Sequence, residues 1–211
     1  MPSNIQIFNM DCMEAMKEMP DKAFDLAIVD PPYGIGNFTR PTTTSHDRRI
    51  ERKYKTPNTW NDTIPCKEYF IELERVSKRR IIFGANYYNC FNGGALVWDK
   101  GERTKTISRC EIASLSFQNR VDYIKIYAPC GFYGKETRIH PCQKPDNLYR
   151  WILKTYANLN SKILDTHLGS GSIAIACWDM GFDLVGYEID KEYFDAAVNR
   201  LENHKKQLQM F

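Results

Sequence analysis

The chain lacks the marks of a secreted, membrane or metal-centred protein. Its seven cysteines (Cys12, Cys66, Cys90, Cys110, Cys130, Cys142 and Cys177) are odd in number and include no C-x-x-C pair. That excludes a disulfide framework or a zinc ribbon as the organising device and points to reduced thiols. The four histidines, His46, His140, His167 and His204, show no ligand spacing, so no metal is expected. No apolar stretch is long enough to span a bilayer, so no membrane partner is expected. Met1-Pro2-Ser3-Asn4 shows no basic-then-apolar leader pattern, and a cytoplasmic protein is the expectation. There is no internal repeat and no low-complexity tract. The net charge is only +3, too small by itself to indicate a nucleic-acid partner.

What is present suits one α/β domain. Over 211 residues the hydrophobic fraction is 43%, enough for a real core. Strands are expected at 4–8, 24–29, 81–83, 95–98, 162–165 and 184–188. Two more, 111–117 and 121–127, are read as antiparallel neighbours. A short helix opens at Asp11, whose side chain and Glu14 form a capping box. Others are expected from Pro65 to about Val76, from Asp146 to Leu159, and from Ser172 to Met180 with Gly181 as its stop. A last helix begins after Asp190, with Phe194, Ala197, Val198 and Leu201 on one face.

The most informative residues are Asp30-Pro31-Pro32-Tyr33. They follow the apolar run Phe24–Val29, which reads as a strand buried on both faces. In open α/β sheets, ligands sit just beyond the carboxyl ends of strands. The two prolines have no N–H, so the turn can only accept hydrogen bonds through its backbone. Residues before proline stay extended. With the Asp30 carboxylate and the Tyr33 ring, the turn is a rigid set of acceptors suited to a flat ligand carrying an amino group.

Residues 34–60 have no periodicity, and a structureless loop of that length is usually functional or disordered. Over 34–58, six basic residues (Arg40, Arg48, Arg49, Arg52, Lys53 and Lys55) face two acidic ones. Such a segment attracts phosphate backbones, although many basic loops are simply solvated.

A second constellation lies near the C-terminus. Gly169-Ser170-Gly171-Ser172-Ile173-Ala174 fits G-x-G-x-x-G/A between a strand and a helix. Glu188, about 20 residues on, ends the next strand, where a carboxylate accepts ribose hydroxyls. The glycines alone suit a nicotinamide dinucleotide as well as any adenosine-containing cofactor. Asp165 weighs against the dinucleotide, because an acid there repels a pyrophosphate. It suits an ammonium or a sulfonium-bearing amino acid. A nucleoside with an amino-acid tail beside a planar amine describes S-adenosylmethionine and a nucleobase.

The motifs Asp30–Tyr33, His140-Pro141-Cys142-Gln143-Lys144-Pro145 and Asp165-Thr166-His167-Leu168-Gly169-Ser170-Gly171, with Glu188, stand in an order spanning nearly the whole chain. In this the chain resembles the amino-methylating DNA methyltransferases of the permuted type, which act on adenine N6 or cytosine N4. The resemblance implies a Rossmann-like methyltransferase fold: a single doubly wound, mostly parallel sheet with a long basic loop insertion. It implies one domain over residues 1–211, with 34–60 facing double-stranded DNA and 140–211 as the cofactor-binding half. It implies catalysis by Asp30, Pro31, Pro32 and Tyr33. S-adenosylmethionine would be held by Asp11, His140, Gln143, Lys144, Pro145, Asp165, Thr166, Gly169, Ser170, Gly171 and Glu188, and DNA by the six basic residues. The family usually has Pro-Phe where this chain has Thr166-His167, so His167 is expected as a packing substitute. The target-recognition segment before residue 140 is short, which shifts base reading to 34–60, to Phe132, Tyr133, Lys135 and Arg138, or to a partner subunit. Asp at the tetrad's first position leans toward adenine N6 within the family. Cytosine N4, an RNA or a protein glutamine remain alternatives, as does a nicotinamide-dependent oxidoreductase of a different class. A homodimer stays open.

Overall fold

The computed structural model describes residues 3–36, 61–91, 93–101, 108–127 and 139–208. The basic residues Arg40, Arg48, Arg49, Arg52, Lys53 and Lys55 lie outside the described residues, as do Phe132, Tyr133, Lys135 and Arg138.

Eight strands form one sheet: β1 (Ile5–Phe8), β2 (Phe24–Val29), β3 (Ser77–Phe83), β4 (Gly94–Asp99), β5 (Cys110–Leu115), β6 (Val121–Lys125), β7 (Lys162–Asp165) and β8 (Asp183–Tyr187). Their order is β1-β8-β7-β2-β3-β5-β4-β6. Only the two pairings made by β5 are antiparallel. The chain leaves β7 toward β8 and leaves β2 toward β3, so the strand order reverses between β7 and β2. Ligand crevices open at such a reversal, beyond the carboxyl ends.

Helices cover both faces. On one side lie α1 (Cys12–Lys17) and α2 (Lys67–Val76), burying Cys12, Met16, Tyr69, Leu73 and Val76. On the other lie α4 (Asp146–Tyr156), α5 (Ser172–Met180) and α6 (Lys191–Leu208). Residues Ser172 to Cys177 of α5 are all buried, as expected for a helix packed between its neighbours α4 and α6. Asp190 caps α6, accepting from Glu192 N at 2.8 Å. A one-turn helix, α3 (Ala85–Tyr88), follows β3 through Gly84, whose φ is +75°.

Three expectations change. The strands at 110–115 and 121–125 are not neighbours: β4 lies between them, antiparallel to β5 and parallel to β6. The connection crosses the start of β4, where a Cβ on Gly94 would stand 2.1 Å from the Gln118 carbonyl oxygen. Glycine permits that crossing, and Arg120 O accepts from Ala95 N at 3.1 Å. Secondly, β3 begins at Ser77, directly after α2. Its charged start is satisfied locally: Lys78 Nζ lies 2.8 Å from Asp25, and Arg80 pairs with Glu74 at 3.2 Å. Thirdly, α4 stops at Tyr156, leaving Leu159 almost fully exposed.

Candidate active site

Asp30 to Tyr33 leave the end of β2 at the crevice. The Tyr33 hydroxyl donates to Asp30 Oδ1 at 2.5 Å. The Tyr33 ring stacks on Tyr87, with centroids 4.8 Å apart. Its backbone N–H donates to Asn61 Oδ1 at 2.7 Å. The Tyr88 hydroxyl donates to the Pro31 carbonyl at 2.5 Å and the Pro32 carbonyl at 2.9 Å. The acceptor set expected from the two prolines is therefore present, and each acceptor already has one donor from the protein. Carboxylate and carbonyl oxygens have two lone pairs each, so capacity remains for a ligand.

Asp30 Oδ2 is held by the Lys144 ammonium. Lys144 Nζ also lies 3.1 Å from Glu111 Oε2, and Lys100 Nζ lies 2.6 Å from Glu111 Oε1. Burial pushes the Glu111 carboxyl up, but the Lys144 and Lys100 charges outweigh burial and hold it at about 2. Burial raises the Asp30 carboxyl, and Lys144 opposes that shift. The motif at 140–145 implies Lys144 on the cofactor. Its head group ties that motif to the tetrad.

The second wall is the bend after β7. Gly169 N donates to Glu188 Oε2 at 2.8 Å and Asp190 N to Glu188 Oε1 at 2.9 Å. Burial raises the Glu188 carboxyl. Asp165 is buried and accepts from His167 N at 3.0 Å through Oδ1, while its Oδ2 has no hydrogen-bond partner among the described residues. Burial pushes its pKa up to about 8. His167 is half-buried edge-on to Tyr69, centroids 5.4 Å apart, and desolvation lowers its pKa to about 4, so its ring is neutral. Tyr69 Oη and Thr166 Oγ1 share a 2.6 Å hydrogen bond.

Both walls line one cavity of about 230 Å³. Of the expected residues, Asp30, Pro31, Pro32, Tyr33, His140, Lys144, Gly169, Ser170 and Glu188 line it. Asp11, Gln143, Pro145, Asp165, Thr166 and Gly171 are not among its lining residues. Asp11 accepts from Met13 N at 2.8 Å as the cap of α1. Gln143 Oε1 accepts from Ile139 N at 2.9 Å. Gly171, φ +70°, lies against Ala197 of α6. Asn61, Tyr149, Ile189 and Tyr193 join the lining outside the motifs that the sequence singles out. Glu111 offers one sequence signal, a carboxylate inside the otherwise uncharged strand 110–115. Asn61 offers none, lying beyond a long aperiodic segment.

Among the described residues no helix is long and apolar enough to cross a membrane. No group of three potential metal ligands occurs among them either.

Comparison with known proteins gives a consistent result. The family described as DNA methylase, of N6/N4 type, matches residues 97–199. The putative methylase YubD of Escherichia coli (strain K12) is 24% identical, over 94% of this chain and 91% of its own length. The PvuII DNA methyltransferase, described as cytosine-N4-specific, superposes with a TM-score of 0.64 at 11% identity, covering 97% of this chain and 91% of that one. M1.HpyAVI, solved as a complex with SAM, gives a TM-score of 0.59 at 21% identity, covering 93% and 98%. The sheet is thus the Rossmann-like sheet of these methyltransferases. The family match begins within β4 and runs through the motif at 140–145, the glycine bend and Glu188 into α6. Over residues 97–199 the chain is similar to the N6/N4 DNA methylase family.

Proposed function

We propose that this chain transfers a methyl group from S-adenosylmethionine to the exocyclic amine of a DNA base, adenine N6. One observation carries the reading: the tetrad, with its two prolines that lack an N–H, and the glycine bend with Glu188 open onto the same cavity, at the reversal of strand order. The likeness to M1.HpyAVI, solved with SAM, supports the cofactor.

The residues present fit that cofactor. Glu188 spends one lone pair of each oxygen on backbone N–H groups and keeps the others for ribose hydroxyls. Asp165 has a buried carboxylate oxygen without a partner among the described residues, which suits an ammonium. When bound, S-adenosylmethionine supplies an electrophilic methyl group on a sulfonium.

The protein's part is to present the amine. A base amine is a poor nucleophile because its lone pair is delocalised into the ring. Asp30 and the Pro31 carbonyl accept its two N–H bonds, favouring a pyramidal nitrogen with its lone pair restored. The fixed Asp30 carboxylate then stabilises the positive charge that develops there. Tyr33 stacks on the base. Orientation of two bound reactants contributes roughly 7–11 kcal/mol of barrier lowering. The amine is inaccessible in a duplex, so the base is flipped out at a cost of a few kcal/mol. The basic residues between 40 and 55 hold the phosphates.

Adenine is preferred because Asp opens the tetrad. Cytosine N4 is the second reading, favoured by the likeness to the cytosine-N4-specific PvuII enzyme. Duplex DNA incubated with the protein and S-adenosylmethionine, then digested to nucleosides for mass spectrometry, decides it. N6-methyladenine is expected. N4-methylcytosine overturns the choice of base, and unmodified DNA overturns the activity.

A further inference from the structure

Four charged side chains run in a line from the cavity into the sheet: Asp30, Lys144, Glu111 and Lys100. They come from four separate stretches of chain, namely the tetrad, the segment before α4, β5 and the end of β4. The side chains of Lys144, Glu111 and Lys100 are 3%, 19% and 12% exposed. Lys144 Nζ also lies over the Phe83 ring, 4.6 Å from its centroid. A buried ionic network of this kind seldom adds stability over apolar packing, yet removing one member is costly. Its position is the informative part. It ends on the one carboxylate that faces the cavity from the tetrad.

We propose that Lys144, Glu111 and Lys100 are positioning residues for Asp30: Lys144 keeps that carboxylate ionised and fixed, and Glu111, anchored by Lys100, sets how much of the Lys144 charge Asp30 receives. The consequence for methyl transfer rests on the function proposed above. The claim about Asp30 itself rests on the geometry.

The physical reason is a balance. A carboxylate buried alone takes up a proton and loses its acceptor capacity. A carboxylate paired fully with one ammonium stays ionised but is a weak acceptor for an amine. Sharing Lys144 between Asp30 and Glu111 keeps Asp30 charged and leaves it acceptor strength. Lys100 compensates Glu111, so the four groups sum to zero when all are ionised.

The other groups near Asp30 do not supply this control. Tyr33 from the tetrad, Tyr69 from α2, Tyr88 from α3 and Tyr149 from α4 all have phenol pKa values raised by burial, so they are neutral. Asp165, at the end of β7, adds only a like charge when ionised. Lys144 is the single cation in direct contact with Asp30 among the described residues.

The test is a ¹³C-carboxyl NMR titration of the full-length protein without added ligand, with Asp30→Asn assigning the resonance. Lys144→Met raises the Asp30 midpoint by about 1–3 pH units, since Asp30 then faces Glu111 without an intervening cation. Glu111→Gln moves it the other way, because Lys144 then serves Asp30 alone. Lys144→Arg restores the wild-type direction. If Lys144→Met fails to fold, Lys100→Met takes its place: Glu111 then draws more on Lys144, and the Asp30 midpoint rises. The acid limb of the kcat profile for methyl transfer moves in the same opposed directions. Shifts of one sign in both variants, or no shift in either, overturn the inference, because a merely structural network lowers stability without opposed titrations. Should wild type show no transfer while the NMR midpoints move apart, the proposed activity fails and the inference about Asp30 stands.

Discussion

The Tyr33 ring lies against Gly84, so close that a Cβ on that glycine would stand 2.3 Å from Tyr33 Cε1. Gly84 also has φ +75°, a conformation that L side chains rarely adopt. A single backbone position after β3 thus holds the aromatic member of the tetrad, with Tyr87 stacked on it. Gly84→Ala is expected to cost about 1–3 kcal/mol of stability and to displace the ring. Chemical denaturation and single-turnover methyl transfer should both show the loss. Wild-type values in both would detach Tyr33 from this support.

In the proposed function Asp165 links cofactor binding to protons. Burial raises its pKa to about 8, so at pH 7 the free protein carries it mostly protonated. A bound ammonium favours the carboxylate and expels that proton. Affinity for S-adenosylmethionine should therefore rise with pH up to about 8, and calorimetry at pH 7 in buffers of different ionisation enthalpy should show proton release. Asp165→Asn should abolish the release. The same shift acts on stability with a definite sign. A carboxyl whose pKa is raised by folding contributes most at low pH, and that contribution is lost as pH rises through the folded value.

Glu188 bridges Gly169 N and Asp190 N, so it shapes the bend as well as facing the cavity. Glu188→Gln keeps the size and removes the charge. Hydrogen bonds to a charged group are worth about 1.5–3 kcal/mol each, so cofactor affinity should fall by roughly tenfold to a hundredfold or more. Isothermal titration measures it. Unchanged affinity would remove Glu188 from the cofactor site.

The basic segment gives a prediction about salt. Arg48→Ala with Arg49→Ala should weaken DNA binding similarly across sequences. It should also flatten the dependence of log K on log salt by roughly 0.9 for each phosphate that is no longer neutralised. An unaltered slope would place the segment away from DNA.

Much of the site is legible in sequence because its parts are local. A strand run followed by Asp-Pro-Pro-Tyr, or by a glycine bend, encodes both an element and its carboxyl end. Parallel strands then bring those ends to one edge. What sequence does not show is set by long-range pairing. Whether β6 pairs with β5 or β4 depends on how the chain crosses Gly94, and strand periodicity carries no information on partners. Lys144 is marked by its motif, but its Nζ reaches Asp30 and Glu111, which lie 114 and 33 positions away in the sequence. Tyr88 reads as an ordinary aromatic after a strand. Only the fold shows its hydroxyl on the Pro31 and Pro32 carbonyls.

The most direct measurement is an equilibrium titration of Asp30→Ala with S-adenosylmethionine, paired with a methyl-transfer assay on duplex DNA. In the proposed function Asp30 belongs to the wall that presents the amine, and the glycine bend to the wall that holds the cofactor. Transfer should vanish while affinity stays within about tenfold of wild type, a change under about 1.4 kcal/mol. A large loss of cofactor affinity, or transfer that survives, would contradict that division of labour.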